Sequence, residues 1–210
     1  MAIATYDELR DAVYRWTFNS DEADKHNTGM SRTIDDLITV AEQRIFREAR
    51  TRDTEASIET AIAAGVIAVP SDYIDLKHAY IDGTPVQTLE RRTAEWVYSQ
   101  YATRSASGKP KAIAREASNF IFGPYPDSGY TVKGVYYKKL AAVSSAAHAL
   151  FTNNPDLYLF ASLAESAILV GRDDRIAMYE AKYQQLLNSI NLHAKSENAS
   201  GSALQMRVAW

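Results

Sequence analysis

Apolar side chains recur every three or four residues at both ends of the chain and at alternate positions in its middle. Helices are therefore predicted on the outside of the sequence and strands within it. Thr5-Tyr-Asp-Glu8 has the form of a capping box, and Tyr6, Leu9, Val13 and Trp16 then keep helical spacing, which predicts a helix over 5–18. Asn19 to Ser31 is polar and reads as a loop. A second helix over 33–50 is predicted from a Thr33 cap and the stripe Ile34, Leu37, Ile38, Ala41, Ile45 and Ala49. Its charged residues Asp35, Asp36, Glu42, Arg44, Arg47 and Glu48 read as a solvated face. From about 54 to 138 the period changes. Strands are predicted at Ser57–Ile62, Val66–Val69, Tyr73–Ile81 (closed by the turn dipeptide Asp82-Gly83), Lys111–Glu116, Phe120–Phe122 and Tyr130–Lys138, with one helix over 89–101. Helical spacing returns over 155–171, opened by Asn154-Pro155 and closed by Gly171, and over 173–194. Those two read as an αα-hairpin.

The pattern gives an α+β chain, mainly a helical bundle, with a small antiparallel sheet inserted and an extended C-terminal tail. Residues 1–195 read as one domain and 196–210 as the tail. Lys195 to Ser202 is polar and small, too poor in apolar surface to order itself. Beyond it Leu204, Met206, Val208 and Trp210 alternate and would share one face of an extended strand. Fully extended, Ser196 to Trp210 reaches roughly 50 Å. The tail either adds a strand to its own sheet or docks on another molecule.

Composition narrows the chemistry. The 210 residues contain no cysteine, which excludes disulfide, thiolate-metal and cysteine-nucleophile readings. A formal charge of −3 argues against an adhesive nucleic-acid binder. No apolar run is long enough to span a membrane, and the N-terminus does not read as a secretory signal. Thirteen tyrosines and three tryptophans suit interfaces and cores equally. The glycines form neither a phosphate-binding loop nor a dinucleotide fingerprint, and no Gly-x-Ser-x-Gly elbow marks a serine. His26, His78, His148 and His193 lie far apart, without ligand spacing, so neither metal nor cofactor is expected. The doublets Asp35-Asp36 and Asp173-Asp174 read as first-turn charges facing a helix dipole rather than as paired catalytic carboxylates. The basic clusters Arg91-Arg92, Lys109-Pro-Lys111 and Lys138-Lys139 read as surface charge. Lys109, Lys111, Lys138 and Lys139 are the candidates for touching DNA phosphates along a shared channel.

Several stretches, in their order and spacing, resemble the head-to-tail adaptor proteins of short-tailed phages. They are Val69-Pro-Ser-Asp-Tyr73, Glu95-Trp-Val-Tyr98, Phe122-Gly-Pro-Tyr-Pro-Asp127 leading into Val135-Tyr-Tyr-Lys138, and Asn153-Asn-Pro-Asp-Leu-Tyr-Leu-Phe-Ala161. The resemblance covers nearly the whole body. It implies a non-enzymatic virion protein of the neck, assembled in the host cytoplasm. Such a protein forms a homo-oligomeric, dodecameric ring beneath the portal protein and extends the channel for genomic DNA. It also gives the tail nozzle or next neck protein a platform. It further implies that Leu204, Met206, Val208 and Trp210 reach toward the portal. A neck stopper or tail-completion protein one ring further out stands as the alternative within virions. Outside them stand a helical module for a host protein and a hydrolase built from distant residues.

Overall fold

Glu8 closes the start of the first helix. Its carboxylate accepts the N–H groups of Ala4 (2.7 Å) and Thr5 (3.0 Å), while Thr5 Oγ1 accepts the Glu8 N–H at 3.3 Å. The two backbone donors hold the Glu8 carboxyl below its ordinary range and begin α1 (Tyr6–Phe18). The computed structural model describes residues 3–18, 28–101, 107–171 and 173–199, without the side chains of 28–31, 173, 198 and 199. The further helices are α2 (Thr28–Glu48), α3 (Ala94–Gln100), α4 (Ala149–Asn153), α5 (Pro155–Val170) and α6 (Asp173–Ala199). The strands are β1 (Glu55–Ala61), β2 (Val66–Ala68), β3 (Tyr73–Ile81), β4 (Gln87–Thr88), β5 (Glu90–Arg91), β6 (Ala112–Glu116), β7 (Asn119–Gly123) and β8 (Thr131–Lys138). The chain divides into two compact units, Met1–Thr54 with Leu140–Trp210, and Glu55–Lys139.

In the helical unit α5 is the hub. Leu157, Tyr158, Leu159, Ala161, Ser162, Leu163, Ala164, Ser166 and Ala167 are all buried, so most of its circumference faces protein. It packs against α1, α2, α4 and α6. Small residues let neighbours come close, and their hydroxyls are paired: Ser162 Oγ donates to the Tyr158 carbonyl (2.8 Å) and Thr17 Oγ1 to Ser166 Oγ (2.9 Å). Pro155 stands in the first turn. Gly171 ends the helix at φ 68°, a left-handed conformation that favours glycine.

The charged face predicted for α2 is partly inside. Glu42 is only 2% exposed, and the Val143 N–H donates to its Oε1 at 2.9 Å. Arg44 is also drawn inward. It grips the Glu180 carboxylate with both terminal nitrogens, one at 2.8 Å, and lies 4.3 Å over the Tyr183 ring. The Tyr183 hydroxyl donates to Glu48 Oε2 at 2.7 Å. The result clamps α2 to α6.

The inserted unit holds two four-stranded sheets, ordered β1-β8-β3-β4 and β2-β7-β6-β5. All pairings are antiparallel except the short β5–β6 one. Both sheets feed one core containing Ile58, Leu76, Ile81, Phe120, Phe122 and Val132. At Gly134, in the central strand β8, a Cβ would sit 2.3 Å from the His78 carbonyl oxygen, so only glycine fits there.

Four expectations need correction. α2 begins at Thr28, so Thr33 is not its cap and Asp35-Asp36 lie beyond the first turn, where Asp35 instead accepts the Tyr6 hydroxyl at 2.8 Å. The helix predicted over 89–101 is shorter. Leu89, 4% exposed, is where the chain passes from one sheet to the other, and α3 starts only after Thr93, whose Oγ1 accepts the Trp96 N–H. α4 was not anticipated; its five residues are too few to show a period. The polar stretch from Lys195 does not leave the helix, since α6 continues through Ala199.

Arg44→Lys keeps the charge but loses the fork that grips Glu180. It is expected to lower unfolding free energy by about 1–3 kcal/mol, seen as a lower urea midpoint at unchanged slope. Burial pushes the Glu42 carboxyl above its ordinary range, against a smaller downward pull from the Val143 N–H. The folded chain then holds that proton more readily than the unfolded one, and stability falls as pH rises through the folded value. For Glu42→Gln this loss is absent, so urea midpoints across the acid-to-neutral range should move steadily in the variant's favour as pH rises. A pH-independent difference contradicts the assignment.

Candidate functional site

Two grooves mark the helical unit. The first is apolar, about 450 Å³, and lies where Trp16, Phe160, Met178 and Tyr179 meet the stems of Lys182 and Gln185. Trp16 meets Phe160 edge-on at 6.1 Å, and Phe160 lies 6.4 Å from the Tyr179 ring. Trp16 keeps helical spacing with Leu9 and Val13 of α1, yet it is 48% exposed while those two are fully buried. Met178 is 58% exposed. Large apolar side chains gathered at the surface are the usual mark of a docking face.

The second groove is polar, about 480 Å³. It lies between the turn at Arg52–Thr54, the Asn153-Asn154 corner ahead of α5, and His193 and Glu197 of α6. Arg52 and His193 both approach the Glu197 carboxylate, each at 3.7 Å. Thr51 Oγ1 is buried on this wall without a hydrogen-bond partner among the described residues. Carboxylates, cations and carboxamides mix here, so the lining favours no single charge.

In the inserted unit a cleft of about 300 Å³ between the sheets is edged by Arg91, Arg92 and Arg115. Arg91 binds Asp75 at 2.6 Å and the Leu76 carbonyl at 2.6 Å. Arg92 pairs with Glu90 at 2.8 Å and covers the Trp96 ring, while Arg115 covers that of Tyr73. Arg91-Arg92 was visible as a basic doublet. Arg115 was not, because only the β6–β7 pairing carries it there.

The four lysines singled out from sequence fall into two pairs. Lys109 Nζ donates to the Pro85 carbonyl at 2.7 Å, beside the connection that follows β3, and Lys111 is exposed next to it. Lys138 pairs in register with Tyr73 at the opposite end of β3, and the Lys139 N–H donates to the Asp72 carbonyl. A nine-residue strand separates the pairs, roughly 25 Å. They form no single cluster. Leu204, Met206, Val208 and Trp210 lie outside the described residues, as does His26.

His148 caps α4, its Nδ1 accepting the Phe151 N–H at 3.3 Å, and burial pushes its pKa down toward the neutral ring that can accept. Asp173-Asp174 open α6. Among the described residues, no group of three or more His, Asp or Glu side chains is placed to hold a metal ion. Among those same residues, no helix is long and apolar enough to cross a membrane.

A search among curated proteins finds no match to the chain. The family model described as "SU10 adaptor protein" matches residues 4–207, nearly the full sequence. By that match the chain belongs to the SU10 adaptor proteins, a family of head-to-tail connectors.

Proposed function

We propose that copies of this chain form a ring, dodecameric in the family's manner, beneath the portal protein of a tailed phage. The ring extends the channel through which genomic DNA passes and gives the tail nozzle or next neck protein its seat. The observation that carries this reading is the family match over residues 4–207. The role is structural, and no reaction is assigned to it.

The surface chemistry supports such a role. The net charge is −3. Several of the cations are tied to carboxylates: Arg44 to Glu180, Lys77 to Glu55, Arg91 to Asp75, and Lys133 to Glu59 and Asp82. A wall of that kind lets DNA pass without gripping it, because tight holding requires free cations that release phosphate counterions. Lys109, Lys111, Lys138 and Lys139 would meet phosphates only singly or in pairs.

The contact with the portal is assigned to Leu204, Met206, Val208 and Trp210. Burying four such side chains contributes roughly 1.5–3 kcal/mol each. Fixing the backbone costs about 1–2 kcal/mol per residue. A single tail therefore gains little. Lateral contacts and repetition around the ring supply the rest through effective concentration.

Electron microscopy of particles should show density for this chain as a ring against the portal; a ring one tier further from the capsid identifies a neck stopper instead. Deleting residues 203–210 should leave the far-ultraviolet circular dichroism unchanged and abolish addition to portal-bearing heads. Infectious, DNA-filled particles built with the shortened chain would refute portal docking through the tail.

A further inference from the structure

Three of the four sheet edges in the inserted unit are short: β4 and β5 have two residues each and β2 has three. The fourth edge is β1, seven residues paired with β8 at every position without a bulge. It carries neither proline nor lysine, residues that blunt an exposed edge. The direction of its free groups follows from the register. The Ile62 N–H donates to the Tyr130 carbonyl at 2.8 Å, one step beyond the pair Ala61–Thr131. Bonded and unbonded pairs alternate in an antiparallel ladder. Thr60, Ile58 and Ala56 are therefore bonded to β8, and the N–H and C=O groups of Ser57, Glu59 and Ala61 point away from it. β8 agrees, since its Thr131 carbonyl accepts the Asp82 N–H on the other side at 2.9 Å. Ser57, Glu59 and Ala61 are exposed, and their outward groups meet no backbone partner among the described residues of the inserted unit.

We propose that β1 is a docking edge for an extended, basic segment of another protein, which adds to the sheet as a further strand. In such an addition main-chain bonds give the affinity and alternate side chains give the selection. Charge on the edge sets that selection. Ile58 points into the core, so Glu55, Ser57 and Glu59 share the opposite face. Glu55 binds Lys77 at 2.7 Å. Glu59 shares Lys133 with Asp82, at 3.2 and 2.9 Å, and its side chain is still 68% exposed. Three carboxylates thus divide two lysines, and the surplus negative charge lies beside the open edge. Lysine or arginine at alternate positions of an incoming strand stands directly across from it. β1 of a second copy fits worse, because pairing two such edges antiparallel gathers four glutamates on one face. This contact goes beyond the ring and portal reading and does not depend on it.

The test uses the full chain, amide hydrogen exchange read by nuclear magnetic resonance, and two capped heptapeptides. One alternates lysine with valine and the other glutamate with valine. In the free protein the amides of Ser57, Glu59 and Ala61 should exchange many-fold faster than those of Ile58 and Thr60. The lysine peptide should slow exchange at Ser57, Glu59 and Ala61 several-fold, and the glutamate peptide should not. Ser57→Pro removes an outward N–H and no ladder bond, so circular dichroism should hold while the lysine peptide loses its effect on Glu59 and Ala61. Glu59→Gln leaves every backbone group in place and should weaken the lysine peptide several-fold. No protection by the lysine peptide, or equal protection by both, overturns the proposal. So does protection of these amides on concentrating the protein alone, which would give the edge to a second copy. None of these outcomes bears on portal docking.

Discussion

α5 constrains everything around it. A helix buried on most of its circumference must be covered from several sides, and here the covers come from opposite ends of the sequence: α1 and α2 before the insertion, α4 and α6 after it. The helical unit cannot close until the inserted strands have been made and passed. The insertion is arranged for this, since its first and last strands are neighbours, with Glu55 opposite Tyr137. Its two ends thus leave and return side by side, as an inserted unit requires. Arg44 then locks α2 to α6 through Glu180 and Tyr183, joining side chains far apart in sequence into one cluster. Such a cluster costs loop-closure entropy that only the surrounding apolar burial offsets.

Where the hydrophobic period was long and undisturbed, the sequence was readable. β3 falls at Tyr73–Ile81 as predicted, and α5 runs from Pro155 to its glycine stop. Readability failed where a residue answers to a distant partner. Leu89 has helical spacing with Trp96, but the carbonyl of Ala79 claims its N–H and the core its side chain. Glu42 looked like solvent-facing charge because nothing local announces that the Val143 amide will arrive beside it. The apolar groove was hidden for a similar reason. Trp16, Phe160 and Met178 sit on three helices; Trp16 and Phe160 have helical spacing with core residues, Met178 stands off the apolar stripe of α6, and only the packing gathers them at the surface.

Charge is balanced locally on the inserted unit. Pairing of cations with carboxylates within the inserted unit, as in Lys133 between Glu59 and Asp82, neutralises the surface locally. Exposed pairs of this kind contribute little stability each. Their larger effect is on what the surface attracts. The three arginines of the cleft follow the same rule, two held by carboxylates and the third resting on an aromatic face.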